Sequence, residues 1–230
     1  MPVIHVIIPA YNEEKSIAQV IAAIPRPLVT EIIVVNNNST DATGAVAQAA
    51  GATVLFQPAP GYGNACLKGI AYSINKPEAE RPEIIVFIDG DYSDYPEEMP
   101  IVVQPILENK ADLVIGSRAL GTREPGAMLP QQVFGNWLAT TLLRLLYGAQ
   151  FTDLGPFRAI RTETLIRLNM QDRTYGWTVE MQLKAAKLKL RSVEVPVNYR
   201  KRIGFSKISG TVKGTVLAGY KIITTIFRYL

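Results

Sequence analysis

Across residues 3–8 almost every side chain is apolar, and Pro9 ends the run. Such a stretch reads as a strand covered on both faces, as in a parallel sheet. Ile17, Val20, Ile21 and Ile24 then recur at helical spacing, with Asn12 as the expected cap and Pro25 and Pro27 closing the segment. The alternation repeats with a strand at 31–35, a helix at 42–50, a short strand at 52–56 and a helix from Gly61 to about residue 74. Another strand, Ile84-Ile85-Val86-Phe87-Ile88, follows. This rhythm predicts an α/β fold with a mostly parallel central sheet flanked by helices.

The second half keeps the rhythm less strictly. Residues 96–110 read as a helix with prolines at 100 and 105, and residues 112–116 as a fifth strand. A Gly- and Pro-rich connection at 122–130 precedes a helix at 131–147 with a wide apolar stripe. Residues 153–158 read as a polar turn, 175–187 as the approach to a further helix, and 191–197 as an antiparallel or edge strand. The stretch 198–207 is the most basic in the chain, and 211–230 has the pattern of an amphipathic C-terminal helix. No repeat or clear linker interrupts the 230 residues, which suggests a single domain.

Composition narrows the chemistry. A net charge of +4 without a long like-charge run does not indicate nucleic-acid binding. Cys66 is the only cysteine, so no intrachain disulfide is expected and a reducing, cytoplasmic setting is. His5 is the only histidine and lies inside the first strand, which disfavours histidine-based triads and imidazole-rich zinc sites. No secretory signal is recognised at the N-terminus, and no window approaches the ~18 apolar residues of a membrane span.

The buried strand at 84–88 runs straight into Asp89-Gly90-Asp91-Tyr92-Ser93-Asp94. Residues two apart on a strand project to the same side, so Asp89 and Asp91 can aim into one volume beyond its carboxyl end. Open α/β sheets bind ligands there, and hard carboxylate oxygens suit Mg2+ or Mn2+. Gly61 and Gly63 open a helix and would let its backbone approach a phosphate closely. The first turn lacks the glycine fingerprint of dinucleotide-binding folds.

Pro9-Ala10-Tyr11-Asn12-Glu13-Glu14, the Asn37 turn with Ser39-Thr40-Asp41, Gly61-Tyr62-Gly63 and Asp89-Gly90-Asp91 stand in one order along the chain. Taken together they resemble family-2 glycosyltransferases, in particular the group of dolichyl-phosphate or polyprenyl-phosphate mannose or glucose synthases. The resemblance implies a GT-A, Rossmann-like fold, a nucleotide diphosphate-sugar donor of GDP-mannose or UDP-glucose type, a divalent metal, and inversion at the anomeric carbon. It places Pro9, Tyr11 and Glu13 around the nucleoside, Asn37 at the base, Asp89 near ribose and metal, and Asp91 on the metal at the diphosphate. Residues 1–118 would form the donor half, 119–210 the acceptor half, and 211–230 a C-terminal helix. Where the family commonly has Asp-Asp-Gly-Ser, this chain has Asn36-Asn37-Asn38-Ser39, which leaves both uracil and guanine open.

Departure of the nucleoside diphosphate builds negative charge, and Arg118, Arg200 and Arg202 are the candidates to meet it. A polyprenyl-phosphate acceptor is already ionised and needs no base, whereas a hydroxyl acceptor would call on Asp153 or Glu180. The expectation is therefore a peripheral enzyme at the cytoplasmic face of a membrane, its C-terminal helix at the headgroup boundary. The alternatives are a soluble or glycolipid hydroxyl acceptor, or a catalytically silent partner subunit.

Overall fold

A computed structural model describes residues 2–204 and 212–230. Within these residues the chain builds one seven-stranded sheet in the order β3-β2-β1-β4-β6-β5-β7. Strands β1 (Ile4–Ala10), β2 (Glu31–Asn36), β3 (Thr53–Phe56) and β4 (Ile84–Phe87) form the parallel half. Strand β6 (Arg158–Arg161) inserts antiparallel between β4 and β5 (Leu113–Ser117). The edge strand β7 (Ser192–Pro196) pairs with β5, in parallel rather than antiparallel sense.

Alternation along the strands sorts the core into two layers. Ile4, Val6 and Ile8 of β1 face helices α1 (Ile17–Ala23), α2 (Thr43–Ala49) and α4 (Met99–Leu107). Ile7, Ile85 and Phe87 face α3 (Tyr62–Ile74), α6 (Thr162–Leu168) and α7 (Trp177–Lys187). A third cluster joins α5 (Pro130–Tyr147), α7 and α8 (Val212–Arg228) through Leu143, Val179, Leu183 and Ile226.

Several local expectations change. Asn12 does not cap α1, which begins later, after Ser16. Asn12 instead takes a left-handed backbone (φ 54°), and its side-chain oxygen accepts the Thr40 N–H at 2.8 Å. The helix expected from residue 96 begins as a short 3-10 turn, and α4 then keeps Pro100 in its first turn and Pro105 inside. Strand β6 and helix α6 occupy a stretch for which no element was expected, beginning at Arg158, the last residue of the expected turn. The residues of β6, Arg-Ala-Ile-Arg, carry charge at both ends and hide the strand pattern. Part of the basic segment, residues 205–207, lies outside the described residues.

Candidate active site

The β1, β2 and β4 carboxyl ends lie side by side, with Ala10 in register with Asn36 and Ile7 with Phe87. The loops beyond them are laced together. The Asn12 N–H donates to Ser39 Oγ, the Glu13 N–H to Thr43 Oγ1, and the Glu14 N–H to Asp41. Pro9 is buried at the end of β1, while Tyr11 stands out with about half its surface exposed (45%). An exposed ring at this edge is free to stack on a planar group.

Asp89 and Asp91 do reach one cleft of about 580 Å3, lined also by Arg118, Tyr199 and Arg202. Asp91 is buried, its Oδ1 accepts the Ser93 N–H at 2.9 Å, and its Oδ2 lies 3.1 Å from Arg202 Nη1. Asp89 Oδ1 is enclosed without a hydrogen-bond partner. Burial, reinforced by the Asp91 charge, pushes the Asp89 carboxyl up from the ordinary range, while Arg202 and Arg118 oppose the rise. An enclosed, under-satisfied carboxylate oxygen beside a second carboxylate fits a hard divalent cation, so Asp89 and Asp91 are the residues that could hold one.

Asp94 escaped the sequence reading. Both of its oxygens are buried without a partner, and burial, then Asp89, drives its carboxyl well upward while Arg118 pulls it down. Its place three residues after Asp91, in the same acidic run, was the available signal.

The other candidates divide. Arg118 stays at the cleft, held by Asp153 through Nε (2.8 Å) and Nη2 (2.7 Å), with its guanidinium over the Tyr199 ring. Both carboxylate oxygens of Asp153 are thereby engaged by the Arg118 guanidinium. Glu180 is likewise engaged within the protein. It is fully buried and accepts the Gln171 and Asp172 N–H groups, the Tyr229 hydroxyl and the Lys184 ammonium. Arg200 does not reach the cleft lining. It lies over the Tyr92 and Tyr95 rings and donates to the Tyr92 and Asp94 carbonyls.

Asn37 spends both amide N–H groups on the Gln57 and Ala59 carbonyls and accepts the Gly61 N–H, so it organises a loop rather than presenting its amide to a base. The glycine pair likewise serves packing. A Cβ on Gly61 would meet the Arg173 carbonyl oxygen at 2.2 Å, and one on Gly63 the Asp172 carbonyl oxygen at 2.1 Å. The Gly63 and Asn64 N–H groups donate to the Thr174 and Arg173 carbonyls, so this helix start is taken by protein and not open to phosphate.

A strand-end carboxylate pair, an arginine-lined cleft and this sheet order define a nucleotide-sugar transferase scaffold of the GT-A type. The chain belongs to glycosyl transferase family 2, whose profile matches residues 5–168. It is 36% identical over 218 residues to an uncharacterized glycosyltransferase of Mycobacterium tuberculosis, covering 94% of each chain. It is 30% identical over 227 residues to the undecaprenyl-phosphate mannosyltransferase of Micrococcus luteus, covering 90% of this chain and 88% of that one. Among solved structures it is similar to glucosyl-3-phosphoglycerate synthase from Mycobacterium tuberculosis in complex with Mn2+, uridine-diphosphate and phosphoglyceric acid. That match has a TM-score of 0.76 and 25% identity, over 99% of this chain and 78% of the other. The chain is a glycosyltransferase.

Proposed function

We propose that this glycosyltransferase moves a hexosyl group from a nucleoside diphosphate-sugar to a polyprenyl phosphate at a membrane surface, with inversion at the anomeric carbon. One observation carries the acceptor. The cleft that begins at Asp89 and Asp91 continues between α5 and α8, walled by Phe134, Leu138, Leu154, Ala218, Ile222 and Ile223. An apolar groove ending at arginine and carboxylates suits a lipid tail with a phosphate head. The solved relative carrying Mn2+ and a uridine diphosphate supports a metal-dependent donor, and the undecaprenyl-phosphate relative supports the lipid.

In this reading Asp89 and Asp91 hold Mg2+ or Mn2+, which when bound neutralises charge on the diphosphate. An acceptor phosphate oxygen forms the new bond to the anomeric carbon from the face opposite the diphosphate. The bond from that carbon to the diphosphate oxygen breaks, and the nucleoside diphosphate leaves with the electron pair. Arg118, fixed by Asp153, supplies positive charge in the cleft without having to reorganise. Asp89 and Asp91 are the only carboxylates among the described residues lining the cleft, which favours an acceptor needing no general base over a hydroxyl.

The test incubates the protein with radiolabelled UDP-glucose or GDP-mannose, Mn2+ and polyprenyl phosphate, then extracts with butanol. Label in the lipid phase that is lost in Asp91→Ala is the expected result. Label transferred only to water-soluble acceptors such as phosphoglycerate would overturn the lipid reading.

A further inference from the structure

Arg202 stands between Asp91 of the cleft and Glu13 of the loop after the first strand. Its Nη1 is 3.1 Å from Asp91 Oδ2 and its Nη2 is 3.1 Å from Glu13 Oε1. Ser93 holds the other Asp91 oxygen through its N–H and its hydroxyl. Both oxygens of the central metal candidate are therefore engaged by the chain itself. The guanidinium sits where positive charge is needed and does the electrostatic work of a cation.

The way Arg202 is mounted matters as much as what it touches. The Arg200 N–H donates to the Ser93 carbonyl at 2.9 Å and the Ile203 N–H to the Asp91 carbonyl at 3.0 Å, so the backbone on either side is tied to the acidic loop. The side chain can change partners while these ties persist. Its grip is incomplete, because Nε is buried without an acceptor. A diphosphate offers the planar fork better-matched oxygens than two separate carboxylates do.

We propose that Arg202 is the built-in counter-cation of the donor site, and that it releases Asp91 only to a metal arriving with a nucleoside diphosphate. A bare divalent ion would have to evict the guanidinium and leave both positive charges in one cleft. A diphosphate brings negative oxygens that receive the displaced guanidinium while the metal takes the carboxylates. Metal and nucleotide then bind as one cooperative unit, each strengthening the other by the same factor. This rests on the donor-site reading above.

Mn2+ binding to the full-length protein, followed by loss of the free-ion electron paramagnetic resonance signal, tests it without any turnover. In the parent, Mn2+ alone should bind weakly, and added UDP or GDP should tighten it roughly tenfold or more, the scale on which a neighbouring charge acts. Arg202→Gln should bind Mn2+ alone roughly tenfold more tightly than the parent, by the same charge effect, and gain little from the diphosphate. Arg202→Lys, which keeps the charge, should stay near the parent. Glu13→Gln leaves the Arg202 charge without one of its two counter-charges, so Mn2+ alone should bind more weakly than to the parent and the gain from UDP or GDP should grow, which gives a second route if Arg202→Gln misfolds. Parent-like or weaker binding of Mn2+ alone to Arg202→Gln, with Mn2+–UDP or Mn2+–GDP still bound by the parent, overturns the counter-cation and leaves the donor site standing. A parent that binds Mn2+ with neither diphosphate overturns both.

Discussion

Asp94 lies behind the donor cleft with no partner for either carboxylate oxygen. Its folded carboxyl is raised well above the unfolded value near 3.9, so ionising it costs the native state. Asp94→Asn removes that cost. The variant should match the parent below pH 4 and gain stability over it as pH rises toward neutrality. Urea unfolding at several pH values measures the difference, and a constant offset across pH would contradict the assignment. Turnover should fall in the same variant, since an unpartnered buried carboxyl near Arg118 is the kind of feature kept at a functional site. At this scale Asp89 and Asp91 were legible because their placement is local: both lie in the turn just past the end of β4. Asp153, Glu180, Asn37 and Arg200 carry equally suitable chemistry, yet each is consumed by partners elsewhere in the chain. Arg118 lies 35 residues from Asp153, and Arg200 is 106 from the Asp94 carbonyl it meets. Composition and spacing do not reveal which polar groups are already satisfied.

Helix α3 gives the corresponding lesson for elements. Replacing a helical glycine by alanine ordinarily gains about 1 kcal/mol. At Gly63 the added Cβ would press on the Asp172 carbonyl oxygen and the Arg173 backbone. Gly63→Ala should therefore reverse the sign and destabilise by about 2 kcal/mol or more, read as a lowered urea midpoint at unchanged slope. A neutral or stabilising outcome would mean that the 172–174 backbone gives way easily. Strands β1, β2 and β4 were legible as nearly continuous apolar runs, because burial on both faces leaves few polar positions. The strand at 158–161 was not. Arg158, fully buried, sends its guanidinium to the Leu154, Gly155 and Thr178 carbonyls, and burial pulls its pKa down to about 10. A strand that begins and ends in arginine gives no apolar signal of its own.

For the whole molecule, α5 and α8 carry outward-facing apolar residues beside the cleft mouth, among them Phe134, Trp137, Val216, Leu217, Tyr220 and Phe227. Inward, Ile226 packs into the third cluster, Lys221 pairs with Asp172 at 2.9 Å, and the Tyr229 hydroxyl reaches Glu180. Lys221 is thus turned to the protein rather than to lipid, and α8 both docks and displays. No helix among the described residues is long and apolar enough to cross a membrane. Combined substitution of Phe134, Trp137 and Phe227 by serine should weaken liposome partitioning about tenfold while sparing Mn2+–UDP or Mn2+–GDP binding. Flotation on anionic vesicles reads the effect, and undiminished flotation would move the contact surface elsewhere. The inserted antiparallel strand has a consequence of another kind, in the order of synthesis. Strands β4 and β5 meet only through β6, whose residues emerge some 40 positions after β5 is complete. Until then a nascent chain holds the strand that leads into Asp89 and Asp91 with one edge open, and β5 has no seat in the sheet. A gene split after Arg118 should yield two fragments that mature only by complementing each other, with β6 of the second sealing the strand of the first that leads into Asp89 and Asp91.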